Sequence, residues 1–295
     1  MKKTSARKVK YLILLGLALA LLLLAGCSSQ KVKNTPDYNF KQGTGELQVK
    51  FLPNSPPEKL YPFSTFKLIL GLDNQQAYDV TNGKVVLLGI DGKYFQVEPL
   101  EQTFDPLMGR SVLNPGGEKT YLEFEGKANH LFQNAEEYVA NYFVKLTYNS
   151  KMDFSDSVCI NPKFYDLYDS GCKVQAKKSY SGQGAPLAVT NMETIISPSG
   201  SGVTGVEFRL TLKNRGKGEV RKATVTSANL GGKELDCNFQ GAWGNKSIEM
   251  SPDMKEPVLI CITYVKESLS YTTTFLVNFA YSYEIEQKQR LRLVK

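Results

Sequence analysis

Val206-Glu207-Phe208-Arg209-Leu210-Thr211-Leu212 alternates apolar and polar side chains at every step. Earlier in the chain, Phe66, Leu68, Leu70 and Leu72 take one face, with Lys67, Ile69, Gly71 and Asp73 between them. Side chains with period two line opposite faces of a strand, so each run predicts a strand with one face in a core. From Gly45 onward this period recurs far more often than the helical 3.6. The expected class is all-β.

The two runs also align with each other. At an offset of 140, Leu72-Asp73-Asn74 falls on Leu212-Lys213-Asn214, Val80 on Val220 and Val85 on Val225. Asn114-Pro115, before the run Tyr121–Glu125, matches Ser251-Pro252 before Val258–Tyr264 at an offset of 137. Tyr142, Val144, Leu146 and Tyr148 match Phe275, Val277, Phe279 and Tyr281 at 133. The offset only shrinks, as it does when a second copy has shorter loops. Each copy has about seven expected strands separated by Gly, Pro, Asn and Asp turns, the pattern of a sandwich.

An alternating strand, Asn214-Arg215-Gly216, a Val-rich strand, and a Pro115-Gly116-Gly117 turn before another strand together resemble CARDB-like and related immunoglobulin-like domains of prokaryotic surface proteins. The first copy departs from this pattern, with Gln75-Gln76 where Arg215-Gly216 stands in the second. The resemblance implies two tandem immunoglobulin-like β-sandwich domains, over 46–176 and 188–295, joined by a polar Gly/Ser linker at 177–187. Fragments 45–176 and 186–295 are each expected to fold alone, since chains of this size can hold their own core. Antibody-type domains fit less well, because Cys237, Trp243 and Cys261 are too close together for the buried Cys-Trp-Cys arrangement.

The N-terminus has a different grammar. Lys2, Lys3, Arg7, Lys8 and Lys10 precede an apolar run from Tyr11 to Ala25, which stops at Leu24-Ala25-Gly26-Cys27. Basic, apolar and small-residue segments in this order make a secretory signal. Leu-Ala-Gly-Cys resembles the lipobox of prokaryotic lipoproteins. It implies a signal peptide over 1–26, a lipid on Cys27 as the partner in the membrane, and a location on the extracytoplasmic face of the cell membrane. Fifteen apolar residues span about 23 Å, short of the ~30 Å hydrocarbon core, so an uncleaved anchor is the lesser reading. Residues 27–45 lack periodic apolar pattern and read as a flexible tether.

The formal charge of +7 falls to +2 once the five cations of the signal are removed. With acids and bases interspersed, no basic footprint for nucleic acid remains. Apart from Cys27 there are four cysteines, an even count that suggests two disulfides in a secreted chain. Three connectivities are possible; sequence proximity favours Cys159–Cys172 and Cys237–Cys261. No Cys-x-x-Cys pair exists and the one histidine, His130, is remote from every Cys, so no metal site and no cofactor are expected.

Catalytic patterns are missing as well. No Gly-x-Ser-x-Gly elbow accompanies His130, which reads as a surface-loop histidine. Gly200, Gly202 and Gly205 have dinucleotide-loop spacing, but a strand follows where that loop needs a helix. Asp153, Asp156, Asp166 and Asp169 read as turn residues at and beyond a strand end. Asn245-Lys246-Ser247 is a lone glycosylation sequon. Among loop aromatics, Tyr165, Tyr168 and Trp243, with Tyr180, are candidates for a contact surface, because Tyr and Trp are enriched at binding hot spots. The expectation is a non-catalytic adhesion, spacer or assembly module meeting an envelope or surface protein. The alternative is a ligand-binding or hydrolytic lipoprotein acting on polysaccharide or peptide.

Overall fold

The computed structural model describes residues 39–132, 135–162, 171–199, 202–241, 244–251, 256–266 and 269–295. Among these, strands are the only regular elements, as the alternating pattern requires. The first half forms β1 (Leu47–Phe51), β2 (Thr65–Asn74), β3 (Thr81–Leu88), β4 (Phe95–Glu98), β5 (Glu101–Phe104), β6 (Lys119–Ala128) and β7 (Glu137–Ile160). The second forms β8 (Lys177–Ser179), β9 (Leu187–Pro198), β10 (Thr204–Asn214), β11 (Glu219–Leu230) and β12 (Lys233–Glu234). It continues with β13 (Asp236–Phe239), β14 (Ser247–Glu249), β15 (Val258–Val265) and β16 (Tyr271–Val294).

The halves repeat one pairing order. β1-β2-β6-β4 forms a four-stranded antiparallel sheet, and β9-β10-β15-β13, extended by β8, forms its counterpart. Both lie against a single seven-stranded sheet of order β12-β11-β16-β7-β3-β5, with β14 beside β11. Aromatic side chains close the layers: Phe208 of β10 stacks on Phe275 of β16 at 4.3 Å, and Phe95 of β4 meets Tyr138 of β7 at 6.4 Å.

The shared sheet exists because β7 and β16 are 24 residues long, against the usual five or six. In β7 the core-facing positions Ala140, Tyr142, Val144, Leu146, Tyr148, Met152, Phe154, Val158 and Ile160 are all buried and apolar. They serve two cores in succession. Phe154 meets Phe275 at 6.1 Å and Tyr180 at 4.9 Å, both in the second half. β16 reciprocates: Leu291 and Leu293 lie opposite Ala140 and Tyr138, and the backbone N–H of Leu60 donates to the carbonyl of Arg292. Each long strand therefore completes the other half's sandwich.

Residues at the expected boundaries take part in the fold. Residues 177–187, expected as a linker, contain β8 and a buried turn over Gly182–Pro186. Gly184 sits at φ 75°, and a Cβ there would lie 2.2 Å from the carbonyl oxygen of Phe40. Glycine lets that strand-to-strand connection run against residues 39–45, the end of the expected tether. There the N–H of Gly184 donates to Gly43, and Lys41 pairs with Asp153 at 2.8 Å. Asp153 and Asp156, expected in turns, lie within β7.

Candidate functional site

The middle of the molecule is built by segments 43–46, 74–78, 183–187 and 214–218. Asn74, fully buried, donates from Nδ2 to the carbonyls of Tyr78 and Leu107, each at 3.0 Å, and its Oδ1 accepts the N–H of Gln76. Asn214 repeats the turn: Nδ2 donates to Gly218 O, and Oδ1 accepts from Gly216 N–H at 3.1 Å. The aligned asparagines thus do one job twice, as asparagine does in turns generally.

Gln76 then fills a position that its counterpart leaves open. Its Nε2 donates to Tyr148 Oη at 3.2 Å, and its Oε1 accepts from Tyr281 Oη. At Gly216 a Cβ would fall 2.1 Å from Tyr283 Oη. That space holds Glu46 Oε2, which accepts from Tyr283 Oη at 3.3 Å and from Lys217 N–H at 2.8 Å. The departure in the repeat is therefore complementary packing. Burial pushes the hydroxyls of Tyr148, Tyr281 and Tyr283 well above the usual tyrosine range. Hydroxyls held neutral in this way are poor proton acceptors near neutral pH.

Beside this network opens a cleft of about 580 Å³, lined in part by Tyr78, Asp79, Lys151, Asp153, Lys222 and Tyr281. Its carboxylates are engaged. Asp79 accepts the N–H of Gly109 at 2.8 Å, and Asp153 takes Lys41. The cleft has mixed polar and apolar walls, and both acids that line it, Asp79 and Asp153, are engaged.

A second site lies at the far end of the first half. Tyr61-Pro62-Phe63-Ser64 forms a tight turn closed by Ser64 N–H to Tyr61 O at 3.1 Å. Pro at its second position and φ 63° at Phe63 mark a type II turn, where glycine is the ordinary occupant. Phe63 nonetheless stands there 68% exposed. Its ring begins a row: His130 at 6.5 Å, then Phe132 at 4.4 Å, Tyr94 at 5.5 Å and Tyr138 at 3.7 Å, each measured from the preceding ring. Lys93 Nζ lies 4.1 Å from the Phe132 centroid, a cation–π contact. Tyr138 Oη donates to Asp91 Oδ2 at 2.7 Å. This bond, with some burial, lifts the Tyr138 pKa to about 12 and lowers that of Asp91. His130 is exposed, as expected of a loop, but it sits inside an aromatic row that sequence spacing does not show.

The remaining expected residues divide plainly. Cys159 and Cys172 are joined at 2.06 Å, and Cys237 and Cys261, directly opposite on β13 and β15, at 2.05 Å. Cys27, Tyr165, Tyr168, Trp243, Asp166 and Asp169 lie outside the described residues. Asp156 occupies a core-side position of β7 and accepts from Lys178 Nζ at 2.8 Å and Tyr180 Oη at 2.6 Å. That bond braces the partly buried Tyr180 against β7. Gly205 belongs to β10. Among the described residues no three His, Cys, Asp or Glu side chains form a metal-binding group.

No family profile and no curated protein matches this chain. Among solved structures, the secreted serine protease VesC from Vibrio cholerae is similar at TM-score 0.21 and 13% identity, over 78% of this chain and 49% of that one. The E. coli chaperone DraB gives TM-score 0.20 and 12% identity, over 79% and 87% of the two chains. The N-terminal region of an enterococcal surface protein gives 0.16 and 9%, over 84% and 86%. The chain spans about half the length of the VesC chain it matches. Likenesses this distant carry no argument about function.

Proposed function

We propose that this protein is a lipid-anchored surface protein of the extracytoplasmic membrane face, held through Cys27. Its two immunoglobulin-like sandwiches act as a non-catalytic adhesion, spacer or assembly module toward an envelope or surface partner. The order β1-β2-β6-β4 corresponds to the A-B-E-D sheet of that fold, and β7-β3 supplies F and C. The place of strand G is taken by the other half's long strand.

The observation that carries the reading is the aromatic row at the end of the first half. β2 separates it from the middle of the molecule by ten residues, about 33 Å of strand. A rigid array of rings, offered at that distance from where the chain enters the fold, suits recognition of a partner. The alternative, hydrolysis of polysaccharide or peptide, has less support because Asp79 and Asp153 are tied to structural partners.

Fatty-acid labelling of cells making wild type and Cys27→Ser tests the address. The expected result is label and processing in the wild type only. Label persisting in the variant overturns the anchor. Envelope-polymer hydrolysis by the purified chain, abolished by Asp79→Asn or Asp153→Asn, would overturn the non-catalytic reading.

A further inference from the structure

The loop between β5 and β6 breaks a rule of turn composition. Ser111 and Asn114 close a tight turn: Ser111 N–H donates to Asn114 O at 3.0 Å, and Asn114 N–H to Ser111 Oγ at 3.0 Å. Central turn positions ordinarily hold Gly, Pro, Asn, Asp or Ser. Here they hold Val112, 83% exposed, and Leu113, 97% exposed. Met108 in the same loop is 58% exposed. The loop is braced rather than loose. Arg110 N–H donates to Gln76 O at 2.7 Å, its Nε to Pro115 O at 3.0 Å, and Met108 N–H to the Glu118 carboxylate at 2.7 Å. An apolar tip held out on a fixed stem gains nothing for the fold in water.

Its position supplies the occupant. The Arg110 guanidinium lies 5.1 Å from the ring centroid of Phe40, one residue into the described chain. Two residues, at most about 7 Å of backbone, separate Arg110 from Val112. Twelve residue steps separate Cys27 from Asn39, a span that cannot exceed about 43 Å. The apolar tip therefore sits where the chain leaves for its anchor. Arg110 on the loop itself suits an anionic lipid surface, and Lys31 and Lys33 lie in the connecting segment. Asp105, at the start of the loop, and Glu118, at its end, are the opposing charges, and Glu118 is engaged by Met108 N–H.

We propose that Val112, Leu113 and Met108 dip into the outer face of the bilayer that holds the anchor, as a second, non-covalent attachment. It rests on the membrane attachment argued above. Membrane binding by an apolar insertion scales with the apolar area it buries, so such a tip would add to the lipid on Cys27 and fix the orientation of the fold on the surface.

The test uses the full chain reconstituted in phosphatidylethanolamine–phosphatidylglycerol vesicles, in a Trp243→Phe background that removes the one native tryptophan. Leu113→Trp reports from the tip, and Leu269→Trp, 72% exposed at the opposite end of the second half, is the control. The expected result is a blue-shifted Leu113→Trp emission quenched by lipids brominated on the acyl chain, with Leu269→Trp unshifted and unquenched. A Leu113→Trp signal like the control, in a chain that floats with the vesicles, overturns the proposal. A blue shift seen only in native envelopes also overturns it and assigns the tip to an envelope protein. Cys27→Ser separates the two readings. Flotation lost in Cys27→Ser but kept in the wild-type chain supports the anchor, quenching that persists in a Cys27→Ser chain that still floats keeps the tip and removes the lipid, and a Cys27-bearing chain that never floats removes both.

Discussion

Asn149 of β7 and Ser282 of β16 face each other across the central ladder, and each is the other's counterpart in the repeat at an offset of 133. The register is thus self-complementary: the two long strands cross the middle of the molecule at equivalent positions, as in an isologous contact between two identical subunits. Here the contact is fixed within one chain. Tyr148 and Tyr283, one step to the side, pair with ring centroids 5.4 Å apart and seal the crossing.

The halves are therefore not expected to fold alone. A fragment ending at 176 presents Met152, Phe154, Val158 and Ile160 to water, and one starting at 177 exposes Leu291 and Leu293, all buried in the whole chain. Calorimetry of the whole chain is expected to show one transition, and each fragment to be aggregated or molten. Mixed or co-expressed, the fragments should recover a cooperative transition. Phe154→Ala should destabilise the entire chain by about 3–5 kcal/mol. Two separate transitions, only one of them moved by Phe154→Ala, would restore independent domains.

The asparagine turns are equivalent in geometry but not in burial. Asn74 is wholly inside with three hydrogen bonds, while Asn214 is half exposed. Removing a buried partner leaves carbonyls unsatisfied at about 1–3 kcal/mol, and water relieves this at a wetter site. Urea denaturation should therefore give a larger loss for Asn74→Ala than for Asn214→Ala. Equal losses would mean that burial does not set their worth.

Burial of the central tyrosines makes the fold labile to alkali. A tyrosine in the unfolded chain loses its proton near pH 10. In the fold Tyr78 is held up to about 12, mainly by burial, and Tyr148, Tyr281 and Tyr283 are raised too. Because the folded values are higher, this stability is complete below about pH 10 and drains away as the pH rises through the folded values. Tyrosinate absorbance of these residues should appear together with loss of the β-sheet circular dichroism signal. Full titration of all tyrosines in a chain still folded would contradict the network.

What could be read from the sequence was whatever a short window contains. Alternation in Val206–Leu212 fixes a strand and its buried face, and Cys237 and Cys261 are close enough in sequence to suggest their bond. Alternation does not name a strand's neighbour, so the run from Ala140 to Ile160 does not disclose that it changes cores midway. Asp153 and Asp156 hid that length, since acids resemble turn residues until Lys41, Lys178 and Tyr180 are seen to meet them. Gln76 looked like a flaw in the repeat because its partner is 205 residues away. The aromatic row was hidden for a similar reason: Phe63, Tyr94 and His130 are brought together by the ends of different strands.

That row provides the most direct test of function. Phe63 holds a left-handed backbone conformation, which costs a non-glycine residue on the order of 1 kcal/mol, while two-thirds of its surface faces solvent. Phe63→Gly should therefore leave stability unchanged or raise it slightly. If the row is the contact surface, the same substitution weakens attachment of purified full-length protein to intact envelopes, and Phe132→Ala weakens it further, since Phe132 bridges His130, Tyr94 and Lys93. Hot-spot aromatics lose about 2 kcal/mol or more on truncation, roughly thirtyfold in Kd. His130→Gln, which keeps a flat polar side chain, should leave attachment nearly intact. Unchanged attachment in both Phe63→Gly and Phe132→Ala would move the contact surface elsewhere. A Phe63→Gly chain less stable than wild type would show that the ring holds the turn instead of serving a partner.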